Sequence, residues 1–130
     1  MDYLGSPVFK EVDLNIFIIE DEQIISNAMY RVLSKDGHVV SVAYSYEVFE
    51  DIFALAQPDL IFLDLKIPGK SGMDILRDIK RSLPMVRVIM MSGYISEKDV
   101  NEAKELGAER FLKKPFDDIF SIRDYINAPK

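Results

Sequence analysis

The residues that could do chemistry in this sequence are carboxylates at Glu20, Asp21 and Asp64, a hydroxyl at Ser92 and an ammonium at Lys114, each placed at the end of a short apolar run. Carboxylates crowded together repel one another, and a hard cation with oxygen ligands is the usual relief. Mg2+ is the natural candidate, because it takes only a few carboxylates, keeps several waters and bridges readily to phosphate oxygens. A hydroxyl and a lysine on the opposite side would complete a site for a transferring phosphoryl group.

These residues meet only if the chain folds in a particular way, and its patterning says that it does. Apolar runs at Ile16 to Ile19, Val39 to Ala43, Leu60 to Leu63, Val86 to Met91 and Arg110 to Leu112 read as strands. Several are apolar at consecutive positions rather than alternating, as expected of parallel strands covered by helices on both faces. Between them, Ile24, Ile25, Ala28, Met29, Val32 and Leu33 recur at helical spacing, which predicts a first helix from about Glu22 to Asp36 with Gly37 as its stop. Ser45 caps a second helix carrying Val48, Phe49, Ile52, Phe53 and Leu55, ending before Pro58. A third runs from about Gly72 to Ser82, and Ser96 with Asp99 opens a fourth that reaches Leu106 and halts at Gly107. After Pro115, the residues Ile119, Phe120, Ile122, Tyr125 and Ile126 form a fifth. Strict alternation of strand and helix predicts an α/β fold, a doubly wound five-stranded parallel sheet with right-handed crossovers and its ligands at the carboxyl ends of the strands.

Composition narrows the function classes. The 130 residues suit one domain, expected over 14–128, with 1–13 as a leader that carries Gly5-Ser6-Pro7 and no clear period. Because the chain stops soon after the fifth helix, a second domain is not expected. Cysteine is absent, which removes disulfides, thiolate metal sites and thiol nucleophiles and is compatible with a reducing compartment. A net charge of -6 argues against direct binding to nucleic-acid phosphates. No apolar run approaches the length a bilayer needs, and Met1-Asp2-Tyr3 lacks the opening of a signal peptide, so a cytoplasmic protein with no membrane contact is expected.

Four segments together resemble the receiver (response-regulator) family of two-component signalling, whose (βα)5 fold is flavodoxin-like: Ile18-Ile19-Glu20-Asp21-Glu22, Pro58 through Asp64 to Gly69, Met91-Ser92-Gly93, and Phe111-Leu112-Lys113-Lys114-Pro115-Phe116. The match spans about Asn15 to Asn127, with the motifs in the family's order and at compatible spacing. The resemblance implies that Asp64 is the phosphoacceptor and that Asp21 and Asp64 ligate Mg2+, with Glu20 as the second acid of the pair and the Lys66 backbone carbonyl as a further ligand. It also implies that Ser92 bonds a phosphoryl oxygen, that Lys114 neutralises developing charge, and that Phe111 changes rotamer as Ser92 moves. The expected donor is a histidine kinase or a histidine phosphotransfer protein, and the expected output surface is the face of helix 4, strand 5 and helix 5. Glu20 stands where many members carry aspartate, and Lys66 occupies a variable position facing the phosphoryl site.

Plainer readings hold for several neighbours. Glu22 reads as an acid that favours a helix N-terminus, Lys113 as solvated, and His38 as a turn histidine away from the carboxyl ends. Tyr94 and Tyr125 read as core or partner surface. A Mg2+-dependent phosphohydrolase with an aspartyl-phosphate intermediate is the enzymatic rival, but Asp64-Leu65-Lys66 lacks the second aspartate of the haloacid-dehalogenase-like pattern. A receiver-like module that has lost phosphorylation is less compatible with the presence of Asp64, Ser92 and Lys114.

Overall fold

A strand that is apolar at every position must be covered on both faces, and this requirement organises the whole molecule. The computed structural model describes residues 13–115 and 119–128. Strands β1 (Asn15–Ile19), β2 (Val39–Ala43), β3 (Leu60–Asp64), β4 (Arg87–Ser92) and β5 (Arg110–Lys113) form one parallel sheet in the order β2-β1-β3-β4-β5. They alternate with helices α1 (Gln23–Lys35), α2 (Tyr46–Leu55), α3 (Gly72–Ser82), α4 (Glu97–Glu105) and α5 (Ile119–Asn127). Successive side chains point to opposite faces, so each strand feeds two cores. Phe17, Ile19, Ile61, Leu63, Val88 and Met90 pack with Phe49 of α2, Ile75, Leu76 and Ile79 of α3 and Ala103 of α4. Ile16, Ile18, Leu60, Phe62, Ile89 and Met91 pack with Met29 and Leu33 of α1 and Ile122 and Ile126 of α5.

The expected helix limits agree closely with those observed. Glu22 and Asp36 are the caps of α1, and α3 spans Gly72–Ser82. Ser45 Oγ accepts from the Val48 N–H at 3.3 Å, and Ser96 Oγ accepts from the Asp99 N–H at 3.0 Å. Strand limits shift slightly. Val86, expected to open the fourth strand, instead donates its N–H to Leu83 O in the preceding turn, while β3 and β5 extend to Asp64 and Lys113. One element is new: Lys66–Ile67 pairs antiparallel with Lys70–Ser71, closing a tight turn around Pro68 and Gly69. Residues 1–12 of the expected leader, and residues 116–118, lie outside the described residues.

The chain passes from β1 outward to β2, then crosses back so that β3 lies on the other side of β1. That reversal leaves a crevice between the carboxyl ends of β1 and β3, where an open parallel sheet accommodates ligands.

Candidate functional site

The register of β1 against β3 pairs Ile19 with Leu63, so the next residues, Glu20 and Asp64, emerge side by side at the crevice. Both are buried, with 0% and 4% of their surface exposed, whereas Asp21 is open to solvent. Carboxylate oxygens of Glu20, Asp21 and Asp64 all lie within 4.8 Å of one another. The backbone fixes them further. Glu20 N–H donates to Ala43 O at 3.0 Å, Glu22 N–H donates to Glu20 Oε2 at 3.0 Å, and Lys66 N–H approaches Asp64 Oδ1 at 3.3 Å.

Lys114 arrives from β5, where its N–H donates to Ser92 O at 2.7 Å across the sheet edge; its peptide bond to Pro115 is cis. Its ammonium, buried with the acids, donates to Glu20 Oε1 at 2.7 Å, Glu22 Oε1 at 2.8 Å and Asp64 Oδ2 at 3.0 Å. Burial pushes the Glu20 carboxyl up to about 7, against hydrogen bonds from Lys114 and the Glu22 N–H that favour its charged form. Burial also opposes the charge on Lys114, yet its bonds to Glu20, Glu22 and Asp64 outweigh that cost and hold it above the ordinary lysine range. Among the described residues, three carboxylates, those of Glu20, Glu22 and Asp64, thus share the Lys114 ammonium, while a fourth, that of Asp21, lies close to Glu20 and Asp64. The oxygen-only donor set and its surplus of negative charge fit a hard divalent cation.

Ser92, buried at the end of β4, lies beside this group, with its hydroxyl turned into the following loop. It donates to Tyr94 O at 2.7 Å and accepts from the Tyr94 N–H at 3.2 Å. Phe111 is half-buried on β5 and packs against the α2, α3 and α4 side of the core. Lys66 is exposed, its backbone at the rim of the site. Tyr94 is exposed, while Tyr125 donates its hydroxyl to Glu109 at 2.7 Å, under the Arg110 guanidinium.

Two readings change. Glu22 occupies the N-cap of α1, but its side chain makes no capping bond and binds Lys114 instead; nothing local to Glu22 signals a partner 92 residues away. His38 stays far from the crevice, as expected, but is no ordinary turn residue. It is buried, its Nδ1 accepts from the Leu14 N–H at 2.9 Å, and its Nε2 meets Asn127 Oδ1 at 2.8 Å. Gly72 was legible only as a helix start. Its N–H donates to Leu65 O at 2.8 Å, and a Cβ there would sit 2.4 Å from the Asp64 carbonyl oxygen. Only glycine lets α3 press this closely on the loop that carries Asp64.

Residues 16–126 match the family described as the response regulator receiver domain. Among curated proteins, the chain is 38% identical over 111 residues to the sporulation initiation phosphotransferase F of Bacillus subtilis (strain 168), covering 85% of this chain and 89% of that one. Among solved structures, it resembles the receiver domain of NtrX from Brucella abortus, with a TM-score of 0.76 at 28% identity, over 86% of this chain and 97% of that one. It also resembles a Burkholderia pseudomallei response regulator solved with a phosphorylated aspartic acid, a calcium ion and citrate. There the TM-score is 0.78 at 24% identity, over 88% of this chain and 66% of that longer one.

Proposed function

This chain belongs to the response regulator receiver domain family of two-component signalling, and from that premise we propose that it is a phosphoryl-accepting switch with Asp64 as its acceptor. The observation that carries the reading is the buried Asp64 carboxylate at the end of β3, with Lys114 Nζ at 3.0 Å and oxygens of Glu20 and Asp21 within 4.8 Å. Asp21 and Asp64 would hold Mg2+, with Glu20 as the second acid and the Lys66 carbonyl as a further ligand. When bound, the metal offsets negative charge on the phosphoryl oxygens.

The donor is a phosphohistidine on a histidine kinase or a histidine phosphotransfer protein. An Asp64 oxygen attacks phosphorus, the phosphorus–nitrogen bond breaks, and the imidazole leaves with the electron pair. Lys114 gives the new phosphoryl group a cationic partner whose ammonium already stands beside Asp64. Ser92 exchanges its Tyr94 contacts for a phosphoryl oxygen, and Phe111 follows by changing rotamer. The aspartyl phosphate shifts a pre-existing equilibrium, and the face of α4, β5 and α5 presents the result to an output protein or domain. Residues 14–128 constitute the receiver and 1–13 a leader; the setting is cytoplasmic, without direct nucleic-acid or membrane binding. The domain assists its own phosphorylation and dephosphorylation but turns over no external metabolite.

Incubation with acetyl phosphate and Mg2+ tests the acceptor. An acid-labile phosphate should form on the parent protein, and Asp64→Asn should abolish it; the same label on the variant would place the acceptor elsewhere.

A further inference from the structure

An ammonium has three N–H donors, and in this site each has a carboxylate acceptor: Glu20 Oε1 at 2.7 Å, Glu22 Oε1 at 2.8 Å and Asp64 Oδ2 at 3.0 Å. A phosphoryl oxygen arriving on Asp64 therefore reaches Lys114 only as one of these acceptors lets go. The three are not equivalent. Glu20 is fully buried, and both it and Asp64 belong to the cluster whose oxygens lie within 4.8 Å of one another. Glu22 stands outside that cluster, its side chain is 60% exposed, and its carboxylate makes no cap bond to α1. Releasing it returns a carboxylate to water, the least costly of the three exchanges.

We propose that Glu22 is a positioning residue for phosphoryl acceptance, which parks the Lys114 ammonium in the unphosphorylated protein and is exchanged for a phosphoryl oxygen when Asp64 is occupied. The inference rests on the acceptor reading above and deepens it by naming the contact that the cation must leave. Glu22 competes with the phosphoryl group for one cation, so it holds the phosphorylated state below the stability that Lys114 alone would give it. A residue acting on the metal would do the opposite, because removing a nearby negative charge weakens cation binding.

Beryllofluoride, a mimic of the phosphoryl group, tests this when titrated in saturating Mg2+ and followed by NMR. Glu22→Gln should bind beryllofluoride about two- to fivefold tighter than the parent, the range that competition from an exposed ion pair corresponds to, while its affinity for Mg2+ alone becomes no tighter. Glu22→Asp keeps the charge but withdraws it by one methylene, so it should tighten in the same direction; parent-like behaviour would mean that the contact plays no part. In the metal-free parent, the isotope-labelled Lys114 ammonium resonance, assigned by its loss in Lys114→Arg, should be sharp, and both Glu22 variants should broaden it. If the parent responds to beryllofluoride but Glu22→Gln binds it equally or more weakly, the role of Glu22 falls and the acceptor reading stands. A parent with no Mg2+-dependent response overturns both.

Discussion

Lys114 decides the electrostatics of the site at the scale of single residues. Without its ammonium, Glu20 and Asp64 would be buried together with no cation bonded to them, and a buried unpaired charge is among the costliest arrangements a protein can hold. The folded protein would respond by protonating Glu20, whose carboxyl burial already raises to about 7. Lys114→Ala should therefore leave a folded protein whose labelling by acetyl phosphate is slower by about a hundredfold, the usual cost of removing one preorganised partner of developing charge. Quantifying the acid-labile phosphate over time gives that rate, and a rate equal to the parent's would mean that Lys114 does not face the phosphoryl group.

The decisive contact between elements is that of α3 against the loop leaving β3. Gly72 begins the helix where the Asp64 carbonyl and the Leu65 backbone leave no room for a side chain, with a Cβ falling 2.4 Å from Asp64 O and 2.7 Å from Leu65 Cα. Neither neighbour is a flexible side-chain end, so Gly72→Ala must push the helix and the Asp64 loop apart. Such overpacking should cost about 1–3 kcal/mol, and it should weaken Mg2+ binding as well, since the loop carries Asp64. Gly93→Ala is the matched control: a Cβ there meets nothing within 4 Å, so its stability should stay within about 0.5 kcal/mol of the parent. Chemical denaturation of both variants makes the comparison, and equal losses would show that the close approach at Gly72 carries no strain.

For the whole molecule, the proposed metal site predicts that folding is linked to Mg2+. The folded chain gathers Glu20, Asp21 and Asp64 into one group, which an unfolded chain does not. With a dissociation constant near one millimolar, ten millimolar Mg2+ should add about 1.4 kcal/mol to stability by mass action, a rise of a few degrees in melting temperature. Asp64→Asn should melt higher than the parent in chelator, because one like charge is gone, and should gain much less from Mg2+. Melting the two proteins with and without metal, at constant ionic strength, provides the measurement. A parent indifferent to Mg2+, or a variant that gains as much, would dissolve the shared pocket.

What the sequence settled by itself was whatever physics writes locally. Consecutive apolar residues in β3 announce a strand buried on both faces, Ser45 and Ser96 announce helix starts, and alternation of strand and helix orders the sheet, so Glu20, Asp21, Asp64, Ser92 and Lys114 could be gathered at one edge before any coordinates. Only the tertiary structure decided which groups share hydrogen bonds once they meet. Glu22 looked like any acid at a helix start until Lys114, 92 residues on, was brought within 2.8 Å. His38 looked like a turn residue until Leu14 and Asn127 closed around its ring, and Gly72 like a helix start until α3 pressed on the Asp64 backbone. Periodicity and capping act over a few neighbouring residues and are legible in their order, whereas burial and bonding partners depend on close packing between segments far apart in the chain.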